Sequence, residues 1–167
     1  MKFAKVSKEQ FLHDLSKVYI STDDEGLEEI YDNIKLPQRA TSGSAGYDFY
    51  LPVDIEIHPS GTLLIPTGIK VELDVNKVLE IYPRSSLGFK YRMKICNTVG
   101  IIDADYYNNE NNEGHIMIKI ENCGNDIIEL ATSSAFAQGI IKEYFTVDDD
   151  KPVAEMRVGG MGSTDAK

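Results

Sequence analysis

The run GIIDADY at 100–106 ends an apolar stretch in Asp103, Asp105 and Tyr106, placing carboxylates and an aromatic ring at the mouth of a hairpin. Upstream, PRSSLGFK at 83–90 brings a guanidinium and hydroxyls into one turn, the donor set that a phosphate chain requires. Downstream, AQGI at 137–140 adds the amide of Gln138. Carboxylates that hold a metal or activate water, beside donors for phosphate, point to nucleotide hydrolysis rather than passive binding. Asp103 is the first candidate for the general base. Asp105 is the alternative, because two residues further along a strand it shares the same face.

These residues must be carried by strands. From Asp48 onward the apolar period is two: Val53, Ile55 and Ile57 alternate in VDIEIH, and Ile69, Val71 and Leu73 in IKVEL. In HIMIKIEN, Ile116, Ile118 and Ile120 face one way, with His115, Met117, Lys119 and Glu121 opposite. Turn signals such as His58-Pro59-Ser60-Gly61 and the 122–126 cluster separate the runs. Many short strands with no helices between them predict an all-β jelly roll or antiparallel barrel.

Residues 1–34 differ in character. Phe3, Val6, Phe11, Leu12, Leu15 and Val18 recur at helical spacing, and Ser7 with Gln10 fits a capping box. A second acidic segment places Leu27, Ile30, Tyr31 and Ile34 on one side. The expectation is an N-terminal helical extension over 1–34 lying on the surface of a β domain over 35–156. A glycine-rich tail, 157–167, follows.

The chain has 167 residues, enough for one domain with a proper core. Its net charge of −10 argues against a nucleic-acid partner, since phosphate neutralisation needs a positive surface. It leaves room for a nucleotide site served by a few local cations, and Arg84, Lys90, Arg92 and Lys94 cluster near the phosphate turn. No apolar run approaches a membrane span, and MKFAKVSKEQ lacks the apolar core of a secretory signal. Cys96 and Cys123 have neither metal-site spacing nor disulfide density, and read as buried thiols in a reducing cytoplasm.

Five segments, in order, resemble the trimeric dUTPases: SAGYDFYLP at 44–52, PRSSLGFK at 83–90, NTVGIIDADYY at 97–107, AFAQGI at 135–140 and RVGGMGST at 157–164. The resemblance implies a jelly-roll β fold, a homotrimer with active sites shared between subunits, magnesium, and hydrolysis of dUTP to dUMP and pyrophosphate. It makes Asp103 the residue that holds the water attacking the α-phosphate. Asn97, Gly100 and Tyr106 become the nucleoside site, with Asn97 matching the uracil edge and Tyr106 lying under the deoxyribose. Arg84, Ser85 and Ser86 become phosphate ligands, and Gln138 places the phosphate chain and the water. Asp48 supports the magnesium shell through water, or supports Arg84. Arg157, Gly162 and Ser163 belong to a C-terminal lid over the γ-phosphate.

The chain departs from the family pattern in four places. Ser86 stands where glycine is common, Arg157 is one residue nearer its glycine pair, and Met161 replaces a phenylalanine. YNNENNEG at 107–114 is longer than the usual turn and is expected to be a solvated extension. The nearest rival is a dCTP deaminase, whose catalytic glutamate would align with Lys119, and a lysine cannot do that work. A regulatory binding protein on a dUTPase body is the other alternative. Retention of Asp103, Arg84 and Tyr106 argues against it.

Overall fold

Alternating isoleucines become strands with their apolar sides inward. The computed structural model describes residues 1–19 and 24–152. In chain order the elements are β1 (Lys2–Lys5), α1 (Lys8–Ser16), α2 (Asp24–Asp32), β2 (Gln38–Arg39), β3 (Tyr47–Tyr50), β4 (Ile55–Ile57), β5 (Thr62–Pro66) and β6 (Ile69–Glu72). They continue with β7 (Lys77–Pro83), α3 (Ser85–Tyr91), β8 (Met93–Ile95), β9 (Gly100–Ile102), a single 3-10 turn (Ala104–Tyr106), β10 (Met117–Asn122), β11 (Ile128–Leu130) and β12 (Ala135–Glu143).

A five-stranded sheet runs β2-β3-β12-β7-β9, a three-stranded sheet runs β5-β10-β8, and β1–β6 and β11–β4 form pairs. Every pairing is antiparallel. Phe49, Leu79, Ile81 and Phe136 from the larger sheet share one buried cluster with Ile65, Ile118 and Ile120 from the smaller. This is the jelly-roll-like β fold expected from the period-two pattern.

Three local expectations change. Phe3 lies in strand β1, paired with Val71 of β6, so the helix begins only after Ser7. Val6, Phe11 and Leu15 then enter the same core cluster as the sheets instead of resting on their outside. The stretch after Pro83, read as a turn, is helix α3, closed at its end by Arg92 in the left-handed region (φ 55°).

Ser7 caps α1 through Oγ, which accepts from the Gln10 N–H at 3.1 Å. The reciprocal half of the capping box is made from elsewhere. Gln10 turns to Asp14 (2.7 Å), and Glu113 of the long loop accepts from the Ser7 N–H at 2.9 Å.

His115, expected on the outward face of its strand, is instead fully buried (0% exposed). Its Nε2 accepts the Gly68 N–H at 2.7 Å, which puts the ring proton on Nδ1, and Nδ1 donates to Asp14 Oδ2 at 2.7 Å. Burial pushes His115 below the ordinary histidine value of 6.5, against the opposing pull of Asp14 and Glu113. Burial pushes Asp14 up, but hydrogen bonds from His115, Gln10 and Lys17 outweigh it and leave the carboxyl below 3.8.

Acid should therefore destabilise the fold. An unfolded histidine takes up its proton at a higher pH than the buried one, so the unfolded state binds more protons between the two values. The His115 contribution is complete above 6.5 and is lost as pH falls through the lowered folded value. The Asp14 contribution is present above 3.8 and disappears only below that. Thermal melts between about pH 8 and pH 5 should show a falling Tm, and His115→Gln should flatten that slope. A slope unchanged in the variant would remove His115 from the account.

No helix among the described residues is long and apolar enough to cross a membrane. Cys96 and Cys123 are free thiols, but neither is buried: Cys96 is exposed and Cys123 half-buried. The two strand ends that carry them leave both outside the core.

Candidate active site

One cluster of the candidate residues is built where three strands meet. Asp48 of β3 sits opposite Gln138 of β12, and Gln138 sits opposite Tyr82 of β7, so all three lie on one side of the sheet. β7 ends at Pro83, and Arg84 follows in extended backbone as the residue before α3. Arg84 Nε pairs with Asp48 Oδ1 at 3.3 Å, the two side chains being 36% and 14% exposed. A bond through Nε leaves both terminal amino groups of the guanidinium for another oxyanion. Ser85 and Ser86 open α3 and are exposed.

Gln138 donates through Nε2 to the Pro83 carbonyl at 3.2 Å, which ties it to the same corner. Its position depends on Gly46: a Cβ there would stand 2.6 Å from Gln138 Oε1. Reasoning from sequence passed over Gly46 as a residue of consequence, although it lies within the SAGYD segment.

The second cluster lines a cavity of about 460 Å³, with Asn97, Gly100, Ile101, Tyr106, Ile118 and Lys119 among its walls. The hairpin that carries Asn97 turns through Thr98 in the left-handed region (φ 67°). Thr98 N–H donates to Ile95 O at 2.9 Å. Asn97 is exposed at the cavity mouth. Gly100 lets β9 approach β7 closely, since a Cβ there would meet Ile81 Cβ at 3.0 Å. Tyr106 is 6% exposed. Its hydroxyl donates to His115 O at 2.9 Å and accepts from Asn112 Nδ2 at 2.8 Å.

β9 ends at Ile102, and Asp103 precedes the 3-10 turn in extended backbone, its carbonyl accepting the Tyr106 N–H at 3.2 Å. Asp103 and Asp105 therefore do not share a strand face. The turn separates them, leaving Asp103 half-buried and Asp105 exposed.

Register sets the distance between the two clusters. Ile102 stands opposite Leu79, and Gly100 opposite Ile81. Asp103 thus falls opposite Val78, near the start of β7, while Arg84 follows its other end. The separation along the strand is six residues, about 20 Å at ~3.3 Å per residue.

A dUTPase family profile matches residues 32–165. This chain belongs to the dUTPase family. It is 37% identical over 134 residues to the deoxyuridine 5'-triphosphate nucleotidohydrolase of Lactococcus lactis, covering 80% of this chain and 89% of the relative. The dUTPase structure from Streptococcus mutans aligns with a TM-score of 0.68 at 32% identity, over 89% of this chain and 99% of that one. A mutant dUTPase from phage phi11 of S. aureus shares the fold, with a TM-score of 0.60 at 19% identity over 74% and 92% of the two chains.

All five motif segments fall within the matched region, whereas β1 and α1 precede it. Arg157, Gly162 and Ser163 lie outside the described residues. Among the described residues, no group of three or more His, Cys, Asp or Glu side chains could hold a metal ion.

The loop 107–114 is not a solvated extension. Asn109 is buried and donates to Tyr106 O (2.9 Å) and Asn112 Oδ1 (2.8 Å). Glu113 reaches Ser7 and Lys70. Asparagine side chains can bond to nearby backbone, and here that folds a polar run into a compact turn.

Proposed function

We propose that this chain hydrolyses dUTP to dUMP and pyrophosphate, by attack of water on the α-phosphate, in three sites that a homotrimer builds between its subunits. One observation carries the reading. A phosphate corner (Asp48, Arg84, Gln138) and a nucleoside cavity (Asn97, Gly100, Tyr106) are both formed, yet the register puts Asp103, between the cavity residues Ile102 and Tyr106, opposite Val78 and six residues along β7 from Arg84. A second copy supplies the missing half to each. The sheet side that carries Asp48 and Gln138 also presents Ile101, 52% exposed and opposite Glu80, an apolar surface that such a copy would cover.

In this site the Asn97 amide pairs with the uracil edge, donor to acceptor. Cytosine reverses that pattern and leaves buried polar groups unmatched. Tyr106 packs under the deoxyribose and leaves no room for a 2′-hydroxyl. Asp103 accepts the proton of the attacking water. Arg84, Ser85 and Ser86 hold phosphate oxygens, Asp48 fixes the guanidinium, and Gln138 orients the phosphate chain and the water. Arg157, Gly162 and Ser163 close over the γ-phosphate.

Magnesium suits this donor set when it arrives with the triphosphate, because it keeps several waters and needs few protein ligands. Asp48 would reach it through water. When bound, it neutralises charge on the phosphate oxygens. The phage phi11 dUTPase coordinates a structural Mg(II) ion. Two free cysteines suit a cytoplasmic location.

Lys119 lines the nucleoside cavity, where a deaminase would place its acid–base glutamate. The deciding assay is pyrophosphate release from dUTP, dTTP, dCTP and UTP, with and without magnesium. Magnesium-dependent turnover of dUTP far above the others is expected. Comparable turnover of UTP would overturn the role of Tyr106, and ammonia release from dCTP would replace hydrolysis with deamination.

Gly46→Ala should displace Gln138 while leaving the core intact. We expect kcat/KM for dUTP to fall by up to about 10²-fold with Tm nearly unchanged, since small misplacements of a positioning group have effects of that size. Unaltered kcat/KM would mean that Gln138 is not needed where it stands.

A further inference from the structure

The family match begins at residue 32, yet the segment ahead of it is bonded to the same loop that carries Tyr106. Two hydrogen bonds converge on the hydroxyl of the Tyr106 ring. The Tyr106 hydroxyl donates to His115 O at 2.9 Å. It accepts from Asn112 Nδ2 at 2.8 Å, and the same amide lies 3.3 Å from His115 O. His115 is in turn held at both ring nitrogens, by Gly68 N–H and by Asp14 of α1. The next residue is fixed as well: Ile116 N–H donates to Ile69 O at 2.8 Å, and Thr67 Oγ1 donates to Ile116 O at 2.7 Å. Glu113 ties the loop to the start of α1 through Ser7, and to Lys70 at 3.1 Å.

Rejecting a ribonucleotide is a steric task of one hydroxyl. A ring that yields by an ångström admits it. A tyrosine whose hydroxyl is bonded on two sides cannot swing without breaking those bonds. The acceptor on one side belongs to a fully buried residue, which cannot follow the ring outward.

We propose that Asn112, His115 and Asp14 are positioning residues for Tyr106, so that sugar discrimination in this enzyme is set by the 107–114 loop clamped to the N-terminal helix. The inference rests on the reading of Tyr106 as the sugar-facing residue. It assigns a task to two parts of the chain, α1 and the loop, that the hydrolytic chemistry itself does not use. Asp14 and His115 act only through Tyr106, and neither touches substrate.

The test is the ratio of kcat/KM for dUTP to that for UTP, measured with Tm for each variant. Asn112→Ala removes the bond to the hydroxyl together with the acceptor of the Asn109 amide and the Gly114 N–H, so its Tm is read beside the ratio. It should lower the ratio roughly threefold to tenfold, the range a single hydrogen bond spans, through faster use of UTP while kcat on dUTP stays near the parent value. Tyr106→Phe keeps the ring and should lower the ratio similarly. Asp14→Ala should lower it too, while Asp14→Asn, which can still accept from His115 Nδ1, should hold it near the parent value. A purely structural role would reduce both substrates together and leave the ratio alone.

Parental ratios in Asn112→Ala and Tyr106→Phe overturn the proposal, whether or not Asp14→Ala folds. Tyr106→Ala separates the ring's role from that of its supports. If it abolishes discrimination while those two variants keep it, the support is irrelevant and the sugar reading stands. If it too retains discrimination, the reading of Tyr106 falls, and the support falls with it.

Discussion

Asp103→Asn should bind a dUTP analogue about as well as the parent and lose most of its turnover, by about 10²–10⁴-fold, the usual contribution of a general base. The substitution is well suited to isolate chemistry from structure. Asp103 contributes its backbone, in extended conformation, to the entry of the 3-10 turn, and its carbonyl accepts the Tyr106 N–H. Asparagine has the same shape and tolerates the same backbone, so the turn and the ring behind it remain in place. What is lost is a carboxylate able to take a proton from water. Pyrophosphate release at saturating dUTP, set beside analogue affinity by calorimetry, separates the two effects. Turnover close to the parent would transfer the role to Asp105, which the turn leaves exposed, or end the general-base mechanism.

The strands and the motif residues are legible in the sequence because their determinants are local. Ile118 and Ile120 bury one side of β10 by alternation alone, continuing from Ile116 just ahead of it, and Asp103 and Tyr106 sit within one short run. Features missed in the sequence depend on distant partners. His115 follows the outward parity of its neighbours, yet Asp14 lies 101 positions away, and together with Gly68 it draws the ring inside. Phe3 fits a helical period with Val6 and Phe11, but its place is a four-residue strand paired with β6, its ring packed against Tyr47 and Phe49 of β3.

Helix α3 is hidden for another reason. Two serines and Gly88 are poor helix formers. Leu87 and Gly88 donate to the Arg84 carbonyl at 3.1 and 3.0 Å, and Arg92 closes the far end, so boundary contacts carry what propensity does not. The asparagine-rich loop reads as solvated for the same reason that it folds: its side chains satisfy nearby backbone, and composition does not distinguish water from a neighbouring amide as the partner.

Mixing two inactive chains should restore activity. Arg84→Ala lacks the phosphate corner and Asp103→Asn lacks the base, so each homotrimer alone should be nearly silent. The register of β7 and β9 puts Asp103 opposite Val78, six residues or about 20 Å from Arg84 at ~3.3 Å per residue, so in the proposed trimer a productive site takes Arg84 from one copy and Asp103 from a neighbour. In a mixed trimer, one junction joins an Asp103→Asn chain that still has Arg84 to an Arg84→Ala chain that still has Asp103, in the correct order. Random assembly from equal amounts leaves about a quarter of all sites intact in a closed three-fold ring. Co-refolded or co-expressed chains should therefore recover about a quarter of parental pyrophosphate release. Chains mixed after assembly should recover none until subunits exchange. The recovered sites should also retain the parental preference for dUTP over UTP, because each takes its Tyr106 clamp whole from one chain. Absence of recovery in co-assembled trimers would place Arg84 and Asp103 in one chain's site and contradict the separation that the strand register imposes.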